Sequence, residues 1–341
     1  MISDRLRATL PLPFAAFMEE ALYGEGGYYR REDLAIGEAG DFVTGSSLSS
    51  LFGRATARLL QRLDPVLGRP AELFEAGYGT GAHLAHVLSS LEERGRRVRA
   101  WDRVQRPAPA GATPLSDLSE IQDGSIEGLI FSYELFDALP FHRLICRADG
   151  SVGELWVDHG EDGGFAWRER ELSDTSLLDV LGSETRLQPG QVADLAPGWA
   201  PLYGELARKL DRGLLVTCDY GYERERLLDP RVRMHGTLAC YSRQRVHRNP
   251  FVLVGEQDLT AHVDFTTIRQ AGEAAGLTTF AFTRQALWLA ACGLFEDLQK
   301  APPQTRLAAM ALLDGEGMGE DIRVLVQTRG IDPAEVLPGL S

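Results

Sequence analysis

The residues with the clearest chemical potential are an acidic residue and three glycines spaced two apart, Glu75-x-Gly77-x-Gly79-x-Gly81. They stand between a short apolar run, 72–76, and a segment whose apolar residues recur at helical spacing. Glycines at such a strand-to-helix turn let the backbone turn tightly, and they let a ligand approach closer than a Cβ would permit. The motif therefore predicts a nucleotide-binding loop.

The spacing and charge of this loop distinguish two ligand classes. Dinucleotide sites favour G-x-G-x-x-G, in which a helix N-terminus faces a pyrophosphate. The third glycine here comes two residues after the second, and the Glu75 carboxylate would repel a pyrophosphate but suits the ammonium and sulfonium groups of S-adenosylmethionine (SAM). Asp102, which lies 21 residues after Gly81, stands where a carboxylate accepts hydrogen bonds from a ribose. The residues thus favour a methyl donor over NAD, the alternative ligand.

Acidic residues also follow two further predicted strands. Glu134 and Asp137 come after the strand 125–132, and Asp219 and Tyr220 come after the strand 213–218. Ligands of open α/β sheets bind at the carboxyl ends of strands, so both segments should face the glycine loop. If residues 134–137 begin a helical turn, the two carboxylates share a face. Alternatively, one of them caps a helix and the other is solvated, and Asp219 belongs to a turn with Gly221 at positive φ.

Metal and hydrolase chemistry have little support in the sequence. His83 and His86 are three apart on the helix after Gly81, but no third ligand is evident, so we interpret both as ordinary helix residues. No Ser-His-Asp order or nucleophile elbow stands out.

Strand-like and helix-like segments alternate along the chain, which predicts an α/β fold with a doubly wound, mostly parallel sheet. A helix is expected over 46–63 with Thr44 or Ser46 as its N-cap, and a β-hairpin over 153–171. Further strands are predicted at 72–76, 98–101, 278–282 and 322–327, and further helices from Pro201 and over 264–275, 285–300 and 305–313. Inserted segments are expected at about 146–200 and 225–260.

Composition excludes several other classes of protein. The 341 residues are 44% hydrophobic and 25% charged, which is typical of a folded domain with a sizeable core. No stretch approaches the roughly 18 uninterrupted apolar residues of a membrane span, and residues 8–18 lack a signal-peptide pattern. A net charge of −14 disfavours nucleic acid as a partner. Four widely spaced cysteines are typical of reduced thiols in a cytoplasmic protein.

Several segments together resemble one family, the MidA-like class I SAM-dependent methyltransferases, which includes a mitochondrial protein-arginine methyltransferase that assists assembly of respiratory complex I. The segments occur in the family's order and span nearly the whole chain: Gly27-Tyr28-Tyr29, Gly40-Asp41-Phe42-Val43-Thr44, Leu51-Phe52-Gly53, Glu75 to Gly81, Glu134 to Pro140, Asp219-Tyr220-Gly221, Gly236-Thr237-Leu238, Asp258 to Phe265 and Met318-Gly319. Three positions depart from the family pattern, with Tyr78 for Pro, Tyr133 for Asn and Asp102 for Glu.

The resemblance implies a Rossmann-like methyltransferase sheet, SAM as cofactor, and methyl transfer to an arginine of a partner protein. It implies an N-terminal helical extension or lid over 1–70, a SAM-binding core over 71–145, 201–225 and 261–341, and substrate-side insertions over 146–200 and 226–260. No nucleic acid and no membrane insertion are expected, and homodimerisation is left open.

The same resemblance suggests a role for individual residues. Glu134 and Asp137 would be catalytic, while Glu75, Gly77, Gly79 and Gly81 would hold the methionine portion of SAM, Asp102 its ribose and Asp117 its adenine. Gly40, Asp41, Phe42 and Thr44 would close over the cofactor, and Tyr28, Tyr29, Asp219 and Tyr220 would lie on the substrate side. Two alternatives stay open: a SAM-binding assembly factor without turnover, and an NAD-dependent oxidoreductase, which is disfavoured because the chain has just two lysines for a catalytic Tyr-Lys pair.

Overall fold

The structure is a computed structural model that describes residues 2–31, 49–91, 95–243, 245–313 and 321–340. These residues form two compact units. We call residues 49–135, 200–220 and 267–340 the core unit, and residues 2–31, 136–199 and 221–266 the accessory unit. The expected lid residues Gly40, Asp41, Phe42 and Thr44 lie outside the described residues, as do Met318 and Gly319.

The core unit is built on a mixed sheet in which seven described strands follow one path. They are β1 Glu72–Ala76, β2 Val98–Trp101, β3 Thr113–Leu115, β4 Ile126–Tyr133, β5 Leu210–Tyr222, β6 Thr278–Arg284 and β7 Ile322–Arg329. The strand order is β6-β7-β5-β4-β1-β2-β3. Strands β5, β4, β1, β2 and β3 run parallel, which confirms the predicted α/β class, whereas β7 is antiparallel to both β5 and β6.

The register of the three central strands aligns their carboxyl ends. Ala76 of β1 pairs with Ser132 of β4, and Ser132 pairs with Thr217 of β5. The Ser132 and Thr217 hydroxyls lie 2.9 Å apart and are fully buried. All five residues of β1 are also buried, including Glu72 and Glu75. The loops after β1, β4 and β5 therefore begin side by side.

The helices that belong wholly or mainly to the core unit are Ser50–Leu67, Ala82–Ser90, Trp199–Lys209, Phe265–Ala274, Gln285–Ala291, Leu294–Lys300 and Pro303–Ala311, with 3₁₀ turns at Leu118–Glu120 and Pro333–Glu335. The first of them differs from its predicted bounds. Its N-cap is Ser49, whose side chain accepts a hydrogen bond from the Leu51 amide at 3.2 Å. The helix continues through Pro65 and ends where Gly68 adopts a left-handed φ of 72°.

The single helix expected over 285–300 is two helices. Gly293 interrupts it with a left-handed φ of 87°, and its carbonyl accepts a hydrogen bond from Arg58. A Cβ on Gly293 would lie 2.2 Å from the Arg58 guanidinium, so a larger residue would require Arg58 to move and would have a strained backbone. The left-handed conformation of Gly293 ends the helical run, and helical periodicity does not reveal it.

The accessory unit contains two small antiparallel sheets. One has the order Leu12–Pro13, Val152–His159, His142–Cys146, Val192–Leu195, with Phe165–Arg170 paired to Val152–His159 as the predicted hairpin. The other has the order Arg245–His247, Ala239–Ser242, Asp258–Thr260. Its helices are Ile2–Thr9, Phe14–Tyr23, Leu177–Leu181, Arg224–Leu227 and Pro230–Arg233, with a 3₁₀ turn at Tyr28–Arg30.

The carboxyl end of β5 differs from the alternative in which Gly221 belongs to a turn. The strand continues to Tyr222 and pairs in parallel with Val263–Asp264, so Gly221 lies within a strand and not in a turn. A Cβ on Gly221 would lie 2.2 Å from the Val263 carbonyl oxygen. Glycine is therefore required at this position for close approach of two backbones.

All four cysteines are buried thiols. Among the helices of the described ranges, none combines the length and the apolar character that crossing a bilayer requires.

Candidate functional site

The glycine loop joins β1 to the helix Ala82–Ser90, as its sequence predicts. Gly77, Gly79 and Gly81 have φ values of 76°, 55° and 78°, which L-residues adopt at a cost. A Cβ on Gly77 would lie 2.9 Å from the Leu135 side chain, and one on Gly81 would lie 2.8 Å from Pro109. A Cβ on Gly79 would meet no atom within 4 Å. Gly79 is thus the glycine of this loop at which a ligand can approach the backbone.

Glu75 is held beneath this loop by a histidine. Its Oε2 lies 3.0 Å from Nδ1 of His83, and Nε2 of His83 lies 3.1 Å from the Thr56 hydroxyl. The three residues are 2%, 3% and 0% exposed. His83 is therefore not an ordinary helix residue, because it fixes the orientation of a buried carboxylate. Its position in the first turn of the helix after the loop is the sequence signal that could have revealed this.

Asp102 follows β2, and both of its carboxylate oxygens accept hydrogen bonds from backbone amides. Oδ2 lies 2.9 Å from the Gly79 nitrogen, and Oδ1 lies 3.0 Å from the Val104 nitrogen. Asp102 thus joins the two loops that follow β1 and β2. Each carboxylate oxygen can accept a second hydrogen bond, so this geometry is compatible with the ribose contact expected from the sequence.

We expect Asp102→Asn to weaken SAM binding about tenfold, because the amide replaces one acceptor by a donor that faces a backbone N–H. Isothermal titration calorimetry measures this change. The matched control is Asp332→Asn, since Asp332 likewise accepts a backbone amide hydrogen bond, from Ala334 at 3.0 Å, at an exposed 3₁₀ turn. Equal SAM affinities for the two variants would contradict the assigned role of Asp102.

Two neighbouring residues stabilise the same region. Tyr78, which stands where the resembling family has Pro, is 4% exposed, and its hydroxyl contacts both the carbonyl and the amide of Arg106. Burial raises the pKa of Tyr78. Asp117 is exposed and caps the 3₁₀ turn Leu118–Glu120 through the Ser119 amide. Hydrogen bonding with the Ser119 hydroxyl, followed by that with its amide, lowers the pKa of the Asp117 carboxyl. Its contact with adenine stays a prediction.

Glu134 is the first residue after β4, and it has the left-handed φ of 49° that is unusual for a residue with a side chain. Its amide donates to the Cys218 carbonyl of β5 at 3.0 Å, and the next residue, Leu135, packs on Gly77. Glu134 is therefore located between the glycine loop and the residue after Cys218, which is Asp219. Such backbone strain in a non-glycine residue is common at functional sites.

Asp219 and Tyr133 both have buried side chains. Asp219 is fully buried, and its Oδ1 accepts the Tyr220 amide at 2.8 Å. Tyr133, which replaces the family's Asn, packs edge-on against Phe52 and donates to Gln285 Oε1 at 2.7 Å. Burial, followed by the nearby Glu134 carboxylate, raises the pKa of Tyr133 well above its ordinary value. Tyr133 is thus a core residue of this unit.

The accessory unit assembles a second group of predicted residues. The Tyr29 hydroxyl donates to Asp258 Oδ1 at 2.8 Å, and the Tyr23 ring stacks on Tyr29 with 5.3 Å between centroids. Burial raises the pKa of Tyr29 well above its ordinary value, and the Asp258 and Asp137 carboxylates raise it further. Asp258 and Asp137 are 3% and 5% exposed. Asp258 and Tyr23 were given no role from the sequence.

Residues 134–140 form a bend and a turn, closed by the Leu139 amide and the Phe136 carbonyl at 3.2 Å, instead of a helical turn. The helical arrangement that would give Glu134 and Asp137 a common face is therefore absent from this described segment. Tyr28 is fully buried and packs edge-on against Tyr29. In the described part of the chain, no group of three or more histidine, cysteine or acidic residues is arranged to hold a metal ion.

The core unit has the sheet order, the antiparallel strand β7 and the glycine loop that define a class I methyltransferase fold. The site also fits SAM chemically: Gly79 leaves the backbone open to a ligand, while Glu75 and Asp102 supply negative charge around the loop.

Comparisons with known proteins identify the family. Residues 51–283 match the family described as "Putative S-adenosyl-L-methionine-dependent methyltransferase", so the chain belongs to that family. It is a SAM-dependent methyltransferase, and the NAD alternative is set aside.

Three relatives illustrate the similarity. A Burkholderia thailandensis protein with bound S-adenosyl-homocysteine superimposes with a TM-score of 0.88 at 27% identity, covering 99% of this chain and 94% of that one. The mitochondrial protein arginine methyltransferase NDUFAF7 homolog of Drosophila melanogaster is 26% identical over 80% of this chain and 69% of its own length. Human NDUFAF7, which bears the same protein arginine methyltransferase name, is 24% identical over 79% and 67%.

Proposed function

We propose that this enzyme transfers a methyl group from SAM to an arginine guanidinium of a partner protein. The observation that carries the proposal is the position of Glu134, a strained carboxylate residue between the glycine loop and Asp219. When bound, SAM supplies an electrophilic methyl group on its sulfonium. The protein must bind the guanidinium, orient one of its nitrogens and remove a proton.

Residues of the core unit would hold the cofactor. Glu75, kept in position by His83, would face the positively charged methionine portion above the glycine loop, and Asp102 would accept from the ribose hydroxyls. Asp117 would lie near the adenine. The lid assigned to Gly40, Asp41, Phe42 and Thr44 stays a prediction from the resemblance.

The chemistry of arginine explains the need for carboxylates. Its guanidinium has a pKa above about 12 and is a poor nucleophile while protonated. A carboxylate at Glu134 would accept hydrogen bonds from the guanidinium N–H groups, fix its plane and take up the proton released on methylation. Asp219 would add negative charge near Glu134 within the core unit.

The aromatic and acidic cluster of the accessory unit also supports a cationic substrate. Stacked tyrosine rings attract a guanidinium through their faces, and Asp137 and Asp258 supply carboxylates beside Tyr29. Further support comes from the relatives, whose names specify protein arginine methylation at 24–26% identity. The net charge of −14 suits a basic segment.

The test is transfer of tritiated methyl groups from SAM to proteins of a source-cell lysate that lacks this enzyme, followed by mass spectrometry of the labelled protein. We expect one methylarginine that is missing in cells without the gene. Label on a lysine or on an N-terminus would overturn the arginine proposal. A protein that binds SAM but labels nothing would instead support the assembly factor without turnover.

A further inference from the structure

A basic segment interrupts this acidic chain. Residues 223–249 contain three acidic residues and seven arginines, a net charge of +4 within a chain of −14: Arg224, Arg226, Arg231, Arg233, Arg243, Arg245 and Arg248. All of them belong to the accessory unit. The function proposed above does not use this segment.

Two of these arginines converge on one tyrosine. The guanidinium carbons of Arg226 and Arg233 lie 4.5 Å and 4.3 Å from the Tyr222 ring centroid. Arg233 also donates to the Arg226 carbonyl at 3.2 Å. Two like charges are thereby held close together over one ring, an arrangement that favours an anion beside them. Because the ring already orders both long side chains, they lose less conformational freedom when an anion binds.

The carboxylates nearby are partly committed to other arginines. Arg231 forms an ion pair with Asp229 at 2.8 Å, and Arg224 forms one with Asp264 at 2.6 Å. Within the described ranges, Arg226, Arg233 and Arg248 have no carboxylate within ion-pair distance. Glu223 and Glu225, which flank Arg224 in the chain, are exposed. The positive charges of Arg226, Arg233 and Arg248 are therefore available to an acidic partner.

A third arginine, Arg248, contributes to the electrostatic environment of His262, which lies beside Tyr222. The ring of His262 lies 5.7 Å from that of Tyr222. Burial, followed by the charges of Arg233 and Arg248 against the opposing Asp194, lowers the pKa of His262 to about 4. His262 is therefore neutral at physiological pH. Arg226 and Arg233 lie over the Tyr222 ring, which neighbours this uncharged imidazole. We call Arg226, Arg233, Arg248 and Val232 the arginine surface. Val232 lies beside Arg233 in the chain and is 68% exposed.

We propose that the arginine surface docks an acidic segment of the protein substrate, in which glutamate or aspartate alternates with apolar residues. The charge complementarity is local, because the rest of the chain would repel such a segment. The exposed valine favours a protein segment with apolar side chains over an RNA, whose phosphates would gain nothing from it. This inference rests on the proposed function, since it assumes a protein substrate, but it concerns docking and not the transfer itself.

Fluorescence anisotropy with three labelled probes tests the proposal: a short peptide of glutamate and leucine, the same peptide with glutamine for glutamate, and an oligouridine of similar length. We expect the glutamate peptide to bind the wild-type chain most tightly. The double variant Arg226→Gln/Arg233→Gln should lose about tenfold in that affinity, the combined effect of two exposed ion pairs. The loss should shrink as salt is raised.

The matched control is Arg168→Gln/Arg186→Gln, which changes the net charge equally at two exposed arginines of the same unit. It should bind the glutamate peptide within about twofold of wild type. Equal binding of both peptides, an equal loss in the control, or tighter binding of the RNA would each overturn the proposal.

The two proposals fail in different ways. The probes contain no arginine, so peptide binding does not depend on methyl transfer. If the lysate assay finds no methylarginine while the glutamate peptide still needs Arg226 and Arg233, the docking surface stands and the proposed function falls. Unchanged SAM affinity in both double variants, measured by calorimetry, shows that each protein is folded.

Discussion

Methyl transfer by Glu134→Gln should fall about a hundredfold or more, while its SAM affinity stays within about twofold of wild type. The amide has the shape of the carboxylate but cannot accept a proton or balance the charge of a guanidinium. Backbone geometry should be retained, because the Glu134 amide keeps its hydrogen bond to Cys218. The measurement is tritiated-methyl incorporation into lysate proteins, with calorimetry for the cofactor.

The control for this variant is Glu205→Gln, a half-buried glutamate on the helix Trp199–Lys209 of the same unit. It makes the same chemical change away from the glycine loop and should label lysate proteins at the wild-type rate. If Glu134→Gln labels as fast as Glu205→Gln, the carboxylate of Glu134 has no part in the reaction.

Replacing Gly79 by valine should weaken SAM binding about a hundredfold, equivalent to about 2.7 kcal/mol. A Cβ at this position meets no protein atom within 4 Å, so the added side chain occupies the space through which a ligand approaches the loop. Because a valine must also adopt the left-handed φ of 55°, the free energy of unfolding should fall by about 1–2 kcal/mol.

Gly124→Val separates these two effects. Gly124 has a similar φ of 63°, and a Cβ there also meets no atom within 4 Å, but it belongs to the turn before β4. Chemical denaturation should give both variants a similar loss of stability, whereas calorimetry should find normal SAM binding for Gly124→Val. Loss of binding in both, or in neither, would show that the Gly79 backbone is not part of the cofactor site.

Local signals predicted much of the framework that carries this site. The glycine loop, β1 and the helix after it could be located from the sequence because a strand-to-helix turn requires residues at positive φ, and the three glycines adopt it. The glycine-rich turn likewise located the hairpin, and the apolar run 322–327 located the strand that the structure extends to Arg329. The antiparallel direction of β7 was not, because a strand buried on both faces has the same apolar composition in either direction.

Contacts between distant residues decided the rest. In the sequence, His83 has the pattern of an ordinary helix residue, whereas the structure places it 3.0 Å from Glu75. The helix predicted over 285–300 is interrupted at Gly293, whose carbonyl contacts the distant Arg58. Tyr29 and Asp258 are 229 residues apart, so no spacing rule could pair them.

By itself, the sequence determined which segments turn, which are buried and where negative charge follows a strand, since these depend on the allowed φ of glycine and on apolar patterning. The tertiary structure alone decided which carboxylates are fixed by histidine, tyrosine or backbone amides, and that two arginines converge on Tyr222. The physical reason is that hydrogen bonds and ion pairs form between side chains whose separation in space is set by the fold and not by their order along the chain.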